Sequence, residues 1–229
     1  PRQRFDRRPN AILRRMTDFA TSPQTLVSVV MPAYNASATL AQSIRSVQAQ
    51  TQSSWELLLV VDRNSSDDTL AIAHSFADQD ARIRLFHDLP EGGCVFNRNY
   101  ALRQAQGTFV AFLDSDDLWM PQKLEQQTKL MGDPECHFTC TGYRQISWDG
   151  GELPVVIRPP AVITYEDLLK DNVIGCLTVM FRRGRFPDLE FVEFRQFEKL
   201  PLPVALPAFL NYAAVSVIRR RPRTPSVPV

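Results

Sequence analysis

The sequence predicts an α/β protein, a mostly parallel, Rossmann-like sheet between helices with a smaller antiparallel part in its second half. Three observations predict it. From Leu26 onward, short apolar runs alternate with segments of helical periodicity in a βαβαβαβ series, the pattern of parallel strands joined by right-handed crossovers. "WELLLVVD" (55–62) is too uniformly apolar for a sheet with one wet face, so both faces are covered. After Pro121 the periodicity changes, and "HFTCTGYRQI", a "DGG" turn at 149–151 and "ELPVVI" read as an antiparallel excursion.

The elements follow in order. "LVSVVMP" is the first strand. Thr39 opens a helix, with Gln42 placed for a capping box and Leu40, Ile44 and Val47 as its buried face. "WELLLVVD" is the second strand, and a helix from about Asp67 buries Leu70, Ala73 and Phe76. "RIRLFHD" is the third strand, residues 95–105 form a helix ended by Gly107, and "TFVAFLD" is the fourth strand. A helix through Leu124 and Leu130 follows Pro121. Thr164 with Asp167 caps another, and "IGCLTVMF" is a last buried strand. Beyond Arg185 the pattern decays, since seven of the 17 prolines fall in 187–229.

Composition narrows the function classes. The 229 residues suit one large domain, or one domain with a small appendage. Net charge is +1, yet residues 1–15 and 218–229 hold ten Arg between them. That leaves 16 basic against 24 acidic side chains over residues 16–217. So acidic a body makes a poor polyanion groove and argues against nucleic acid. The basic ends read as solvated tails, with peripheral contact to an anionic membrane as the alternative. Cys94, Cys136, Cys140 and Cys176 lack zinc-site spacing and read as reduced thiols of a cytoplasmic protein, and the Arg-rich opening carries no signal peptide. Leu200–Ile218 is uncharged for 19 residues, long enough to span a bilayer. Pro201, Pro203 and Pro207 favour an irregular or surface-lying segment instead.

Ligands of an open parallel sheet bind outside the carboxyl ends of its strands. The loops expected there are "PAYN", "DRNSSDD", "HDLPEGG" and "DSDD", which gather eight carboxylates, Asp62, Asp88, Asp114 and Asp116 among them. Their mutual repulsion needs an offset, and a hard divalent ion such as Mn²⁺ or Mg²⁺, sharing its shell with substrate phosphates, is an economical one. The plainer alternative is that Asp114–Asp117 is a polar turn before the helix that follows Pro121.

Five stretches also carry a family resemblance. "VSVVMPAYN", "SIRSVQAQT", "WELLLVVDRNSSDDT", "GGCVFNRNYALRQAQGTFVAFLDSDDLWMPQKLEQQ" and "ITYEDLLKDNVIGCLTVMFRR" occur in order over residues 26–183. Together they resemble bacterial family 2 glycosyltransferases of the GT-A fold. The resemblance implies an inverting, metal-dependent transferase that moves a sugar from a nucleoside diphosphate, a UDP-sugar first, to a saccharide or lipid-linked acceptor in surface-polysaccharide or lipopolysaccharide synthesis. It would act in the cytoplasm, at the inner face of the membrane. Residues 1–25 become a basic tail, 26–120 the donor-binding half, 121–185 the acceptor-side half and 186–229 an irregular Pro-rich segment.

Residue by residue, the resemblance assigns Pro32, Ala33, Tyr34 and Asn35 to the nucleotide-facing loop and Asp62 to the base or ribose. It places Arg98 and Asn99 near the diphosphate. Asp114, Ser115 and Asp116 match the aspartate-any-aspartate motif, with Asp114 toward the ribose, Asp116 toward the metal and chemistry, and Asp117 as a further metal ligand. Trp119 lines the sugar pocket or fills the core. Two departures stand out. Arg63 occupies a position where the family often has a second Asp. The downstream base segment reads Arg195-Gln196-Phe197-Glu198 followed by "KLPLPVALPAF", so Glu198, or nearby Glu193, is the candidate catalytic base. The change of pattern after Arg185 reads as a truncated or altered acceptor half. A catalytically impaired nucleotide-sugar-binding protein with an intact donor half is the alternative.

Overall fold

The computed structural model describes residues 26–147, 151–160, 174–191 and 216–220. Its main sheet holds β1 (Val27–Ala33), β2 (Trp55–Val61), β3 (Ile83–Phe86), β4 (Phe109–Phe112), β6 (Phe138–Thr139) and β9 (Met180–Arg182), in the order β3-β2-β1-β4-β9-β6. The first four strands are parallel, and β9 runs antiparallel to both β4 and β6. A second sheet has the order β5-β10-β7-β8, from β5 (Leu118–Trp119), β10 (Ser216–Arg220), β7 (Tyr143–Ser147) and β8 (Glu152–Ile157).

Period-two alternation builds a core on each face of the main sheet. Val27, Val29, Met31, Leu57, Leu59 and Ala111 face one side and pack with Leu40, Ile44 and Val47 of α1 (Leu40–Gln48) and Ala73 of α2 (Thr69–Ala77). Val30, Leu58, Val60, Val110 and Phe112 face the other, against Ala101 of α3 (Cys94–Gln104). Both faces of β1 and β2 are covered, as the uniform apolar run requires. Leu124 of α4 (Lys123–Leu130) joins the first core.

The structure corrects several local expectations. Thr39 precedes α1, but its hydroxyl makes no cap bond and donates back to Ala36 O at 3.4 Å. Gly107 does not end α3, which stops at Gln104. It sits where the chain crosses β1, and a Cβ there would meet Leu26 O and Ser28 N at 2.7 Å. "IGCLTVMF" is a strand only at Met180–Arg182, after a 3-10 turn over Cys176–Thr178. Trp119 belongs to the core, 4% exposed, with its indole N–H on Leu177 O at 2.9 Å. Ser216–Ile218, the end of the long uncharged stretch, lies in a strand rather than an irregular tail. No described helix is long and apolar enough to cross a membrane. The helix expected after Thr164 and the rest of 192–215 lie outside the described residues. All four cysteines are free thiols. Burial raises Cys136, Cys140 and Cys176, Cys140 to about 11 and Cys176 to about 12, which keeps these three protonated and poor nucleophiles.

Candidate active site

Strand order reverses direction at β1. The chain builds outward to β2 and β3, then returns to place β4 on the other side of β1. A crevice opens at the carboxyl ends of strands flanking such a reversal. β1 ends at Ala33 and β4 at Phe112, so Tyr34–Asn35 and Leu113–Asp117 border it.

Pro32 and Ala33 are buried within β1, whereas Tyr34 projects, 58% exposed. Asn35 takes a left-handed φ of 44°, a conformation its short amide tolerates. Its Oδ1 accepts the Ser66 N–H at 2.8 Å. The Ala36 N–H donates to Thr69 Oγ1 at 2.7 Å and the Ser37 N–H to Asp67 at 3.0 Å. The loop after β1 is thereby stitched to the loop after β2. Burial pushes the Asp67 carboxyl up, but hydrogen bonds from Thr69 and Ser37 outweigh it and hold Asp67 below the usual carboxylate range.

Asp62 is almost completely buried, at 4% exposure. One oxygen accepts the Asn64 N–H at 2.9 Å and the Asn64 amide at 3.1 Å; the other takes the Gly93 N–H and, at 2.8 Å, the Asn97 amide. These donors overcome the effect of burial and leave its pKa lowered. Asp62 thus ties the β2 loop to the first turn of α3. Gly92 permits the approach, since a Cβ there would lie 2.6 Å from Asn64 Nδ2 and 2.8 Å from Asp62 Oδ1. Asn97 and Asn64 were not singled out by sequence reasoning. The only signal for Asn97 was an Asn on the sheet-facing side of a helix.

α3 also carries Arg98, whose guanidinium pairs with the Asp114 carboxylate. The Arg98 side chain is 15% exposed and that of Asp114 32%. Burial depresses the Arg98 pKa, yet Asp114 more than compensates, so its pKa is raised. Arg98 also lies over the Phe191 ring, 5.3 Å from its centroid. Both ends of the Asn99 amide are spent on Phe191, its Nδ2 donating to Phe191 O at 2.8 Å and its Oδ1 accepting the Phe191 N–H at 2.7 Å. Phe191 was invisible to sequence reasoning, lying 92 residues away.

Around Asp114 the chain makes a tight turn, with the Asp117 N–H on Asp114 O at 3.1 Å. Ser115 is 8% exposed, and its carbonyl accepts the Ser43 hydroxyl at 2.9 Å. Asp117 is 7% exposed, while Asp116 is half-buried. Glu198 and Glu193 lie outside the described residues.

The carboxylates of Asp62, Asp67 and Asp114 are compensated by protein donors, so the fold does not need a cation to tolerate them. Among the described residues no group of three or more His, Cys, Asp or Glu side chains is placed to hold a metal ion by itself. Asp114 and the half-buried Asp116 are two carboxylates on one turn, the number from which a Mg²⁺ site completed by phosphates and water is built.

An acidic crevice at the switch point of an α/β sheet, with a guanidinium at its edge, is where such folds bind their ligands. Residues 28–190 match the family described as glycosyl transferase family 2, and the chain belongs to that family. It is 39% identical over 180 residues to TuaG of Bacillus subtilis, a glycosyltransferase named for teichuronic acid biosynthesis, covering 79% of this chain and 71% of TuaG. It is 43% identical over 166 residues to the Escherichia coli UDP-Glc:alpha-D-GlcNAc-diphosphoundecaprenol beta-1,3-glucosyltransferase WfgD, covering 72% of this chain and 64% of WfgD. The fold matches S. aureus TarS 1-349 in complex with UDP-GlcNAc at a TM-score of 0.67 and 21% identity, over 89% of this chain and 61% of that one. The GT-A architecture expected from the resemblance is therefore the one observed.

Proposed function

We propose that the chain is an inverting glycosyltransferase that moves a sugar from a UDP-sugar to an acceptor hydroxyl during bacterial cell-surface polysaccharide synthesis. The observation that carries this reading is the Arg98–Asp114 pair at the β1/β4 switch point of a family 2 chain. Tyr34, exposed at the end of β1, offers a ring face to the base, and the clasped loops of Asn35 and Asp62 give that face a rigid backing. Arg98 supplies charge-assisted donors for phosphate oxygens. Asp114 takes the ribose side, and Asp116, with Asp114, would hold Mn²⁺ or Mg²⁺ through two carboxylates, leaving the rest of the shell to phosphates and water. When bound, such an ion offsets the negative charge that develops on the departing diphosphate. Glu198 serves as the base that takes the acceptor proton as the acceptor oxygen attacks the anomeric carbon, opposite the leaving group.

The acceptor we infer is a saccharide on a lipid carrier, which brings the protein to the inner face of the membrane. Its support is the diphosphoundecaprenol named for WfgD. In this reading residues 26–120 bind the donor and 121–185 face the acceptor.

A panel of nucleotide sugars scored by thermal shift, with and without Mn²⁺, tests the reading, because a ligand raises stability only where it binds the folded state. A UDP-sugar should raise the melting temperature most in the presence of the ion, and Asp116→Asn should remove the ion's contribution. No shift with any nucleotide sugar would overturn it. The second reading, a binding protein without transfer activity, is motivated by the prolines that follow Glu198, Pro201 and Pro203. Tight donor binding without even slow donor hydrolysis would favour it.

A further inference from the structure

Adjacent residues of α3 grip Phe191 in two ways. Asn99 fixes its backbone with two hydrogen bonds, and Arg98 lies under its ring. Phe112 braces the same ring edge-on at 5.1 Å. The guanidinium is therefore covered on one side by an immobilised aromatic face and paired on another with Asp114. It is not saturated, because its Nε is buried and has no hydrogen-bond partner.

From this arrangement we propose that the Arg98–Asp114 pair is a latch. The guanidinium holds one oxygen of Asp114, and a nucleoside diphosphate, by drawing Arg98 onto its phosphate oxygens, opens Asp114 to a divalent cation. The inference rests on the nucleotide-sugar reading above and adds an order of assembly to it. A dication approaching Asp114 alone meets a cation already in contact with the same carboxylate, at a distance where like charges repel strongly. Diphosphate changes the balance, since a guanidinium fork pairs bidentately with phosphate oxygens and the Nε still has a hydrogen bond to give. The described residues also offer no group of three or more ligating side chains that would capture the ion unaided. Arg98 is thus a positioning residue for the cation as well as a contact for the donor.

The test is Mn²⁺ binding to the full chain, read from the loss of the free-ion electron paramagnetic resonance signal, with and without UDP. Wild type should bind Mn²⁺ weakly alone and much more tightly with UDP. Arg98→Met should bind Mn²⁺ more tightly than wild type without UDP, and the factor by which UDP strengthens Mn²⁺ binding should fall by about tenfold, within the usual range of site coupling. Adding Asp114→Asn to Arg98→Met should abolish the gained binding. Phe191→Leu, which uncovers the guanidinium but keeps its charge, should shift both quantities in the same direction by less, and serves if Arg98→Met does not fold. An unchanged coupling factor in Arg98→Met would overturn the latch while leaving the donor reading intact. If wild type binds neither UDP nor the UDP–Mn²⁺ pair, the donor reading fails and the latch with it.

Discussion

Asn99 and Phe191 exchange two hydrogen bonds, amide to carbonyl at 2.8 Å and backbone N–H to amide oxygen at 2.7 Å, so one side chain on α3 imitates a paired strand. Asn99→Ala would leave both Phe191 backbone groups without these partners, at a cost of about 1–3 kcal/mol. Asn99→Asp keeps the acceptor, loses the donor and should fall between. Urea unfolding measures the cost. Hydrogen exchange at the Phe191 amide, faster in the alanine variant than in the aspartate variant, ties it to this contact.

A second prediction concerns acid. Glu56 is buried, and its carboxylate accepts the Ser28 hydroxyl at 2.6 Å, the Gln106 N–H at 2.7 Å and Arg84 at 2.8 Å. Burial raises its pKa, but these donors prevail and leave it below its ordinary 4.5. The Arg82 guanidinium likewise holds Asp80 down at about 2. A carboxyl whose folded pKa is depressed stabilises the fold above its unfolded value and loses that contribution as pH falls through the folded one. The urea midpoint should hold steady down to about pH 5 and then decline toward about pH 2. Glu56→Gln should be less stable at neutral pH by about 1–3 kcal/mol, with the deficit shrinking in acid.

Lys123 should show the opposite slope. It is fully buried, with its ammonium on Gln127 Oε1 at 2.5 Å and 4.3 Å from the Trp119 ring centroid, and burial pushes it down to about 7 from 10.5. Between those values the unfolded chain holds a proton that the folded chain has released, so stability rises with pH across that window. Lys123→Met should be more stable than wild type by about 1 kcal/mol or more at pH 6, since an apolar side chain carries no charge to desolvate. The gap should close toward about pH 10, as denaturant titrations at both pH values would reveal.

Gly107 supplies a steric prediction. A Cβ there meets three backbone atoms, Leu26 O and Ser28 N at 2.7 Å and Phe109 O at 2.8 Å, none of which can rotate away. Gly107→Ala should cost about 1–3 kcal/mol by overpacking. It sits at the amino end of β4, opposite the crevice, so affinity for UDP, measured below the new melting transition, should remain near wild type.

What was legible in the sequence was whatever repeats locally. The apolar runs "LVSVVMP" and "WELLLVVD" marked the strands, and the period of Leu40, Ile44 and Val47 marked the helix and its buried face. Parallel order placed Asp62, Asp88 and Asp114 on one edge. Where those side chains turn was not legible, because their partners come from distant segments: Asn97 for Asp62 and Phe191 for Asn99 and Arg98. Gly107 misled for a related reason, since a glycine three residues past a helix looks like a cap whether it serves a turn or a crossing of chains. Trp119 beside the acidic turn fitted a sugar platform equally well until Leu177 O was seen to take its N–H.

One feature of the second sheet bears on shortened forms of the protein. Ser216–Arg220 is inserted between two strands, antiparallel to Leu118–Trp119 and parallel to Tyr143–Ser147, which do not otherwise adjoin. A polypeptide stopped before Ser216 would be split along that seam, baring backbone donors and acceptors on both sides. The loosened strip would begin one residue after Asp117, so loss of a remote tail would be felt first at the acidic turn.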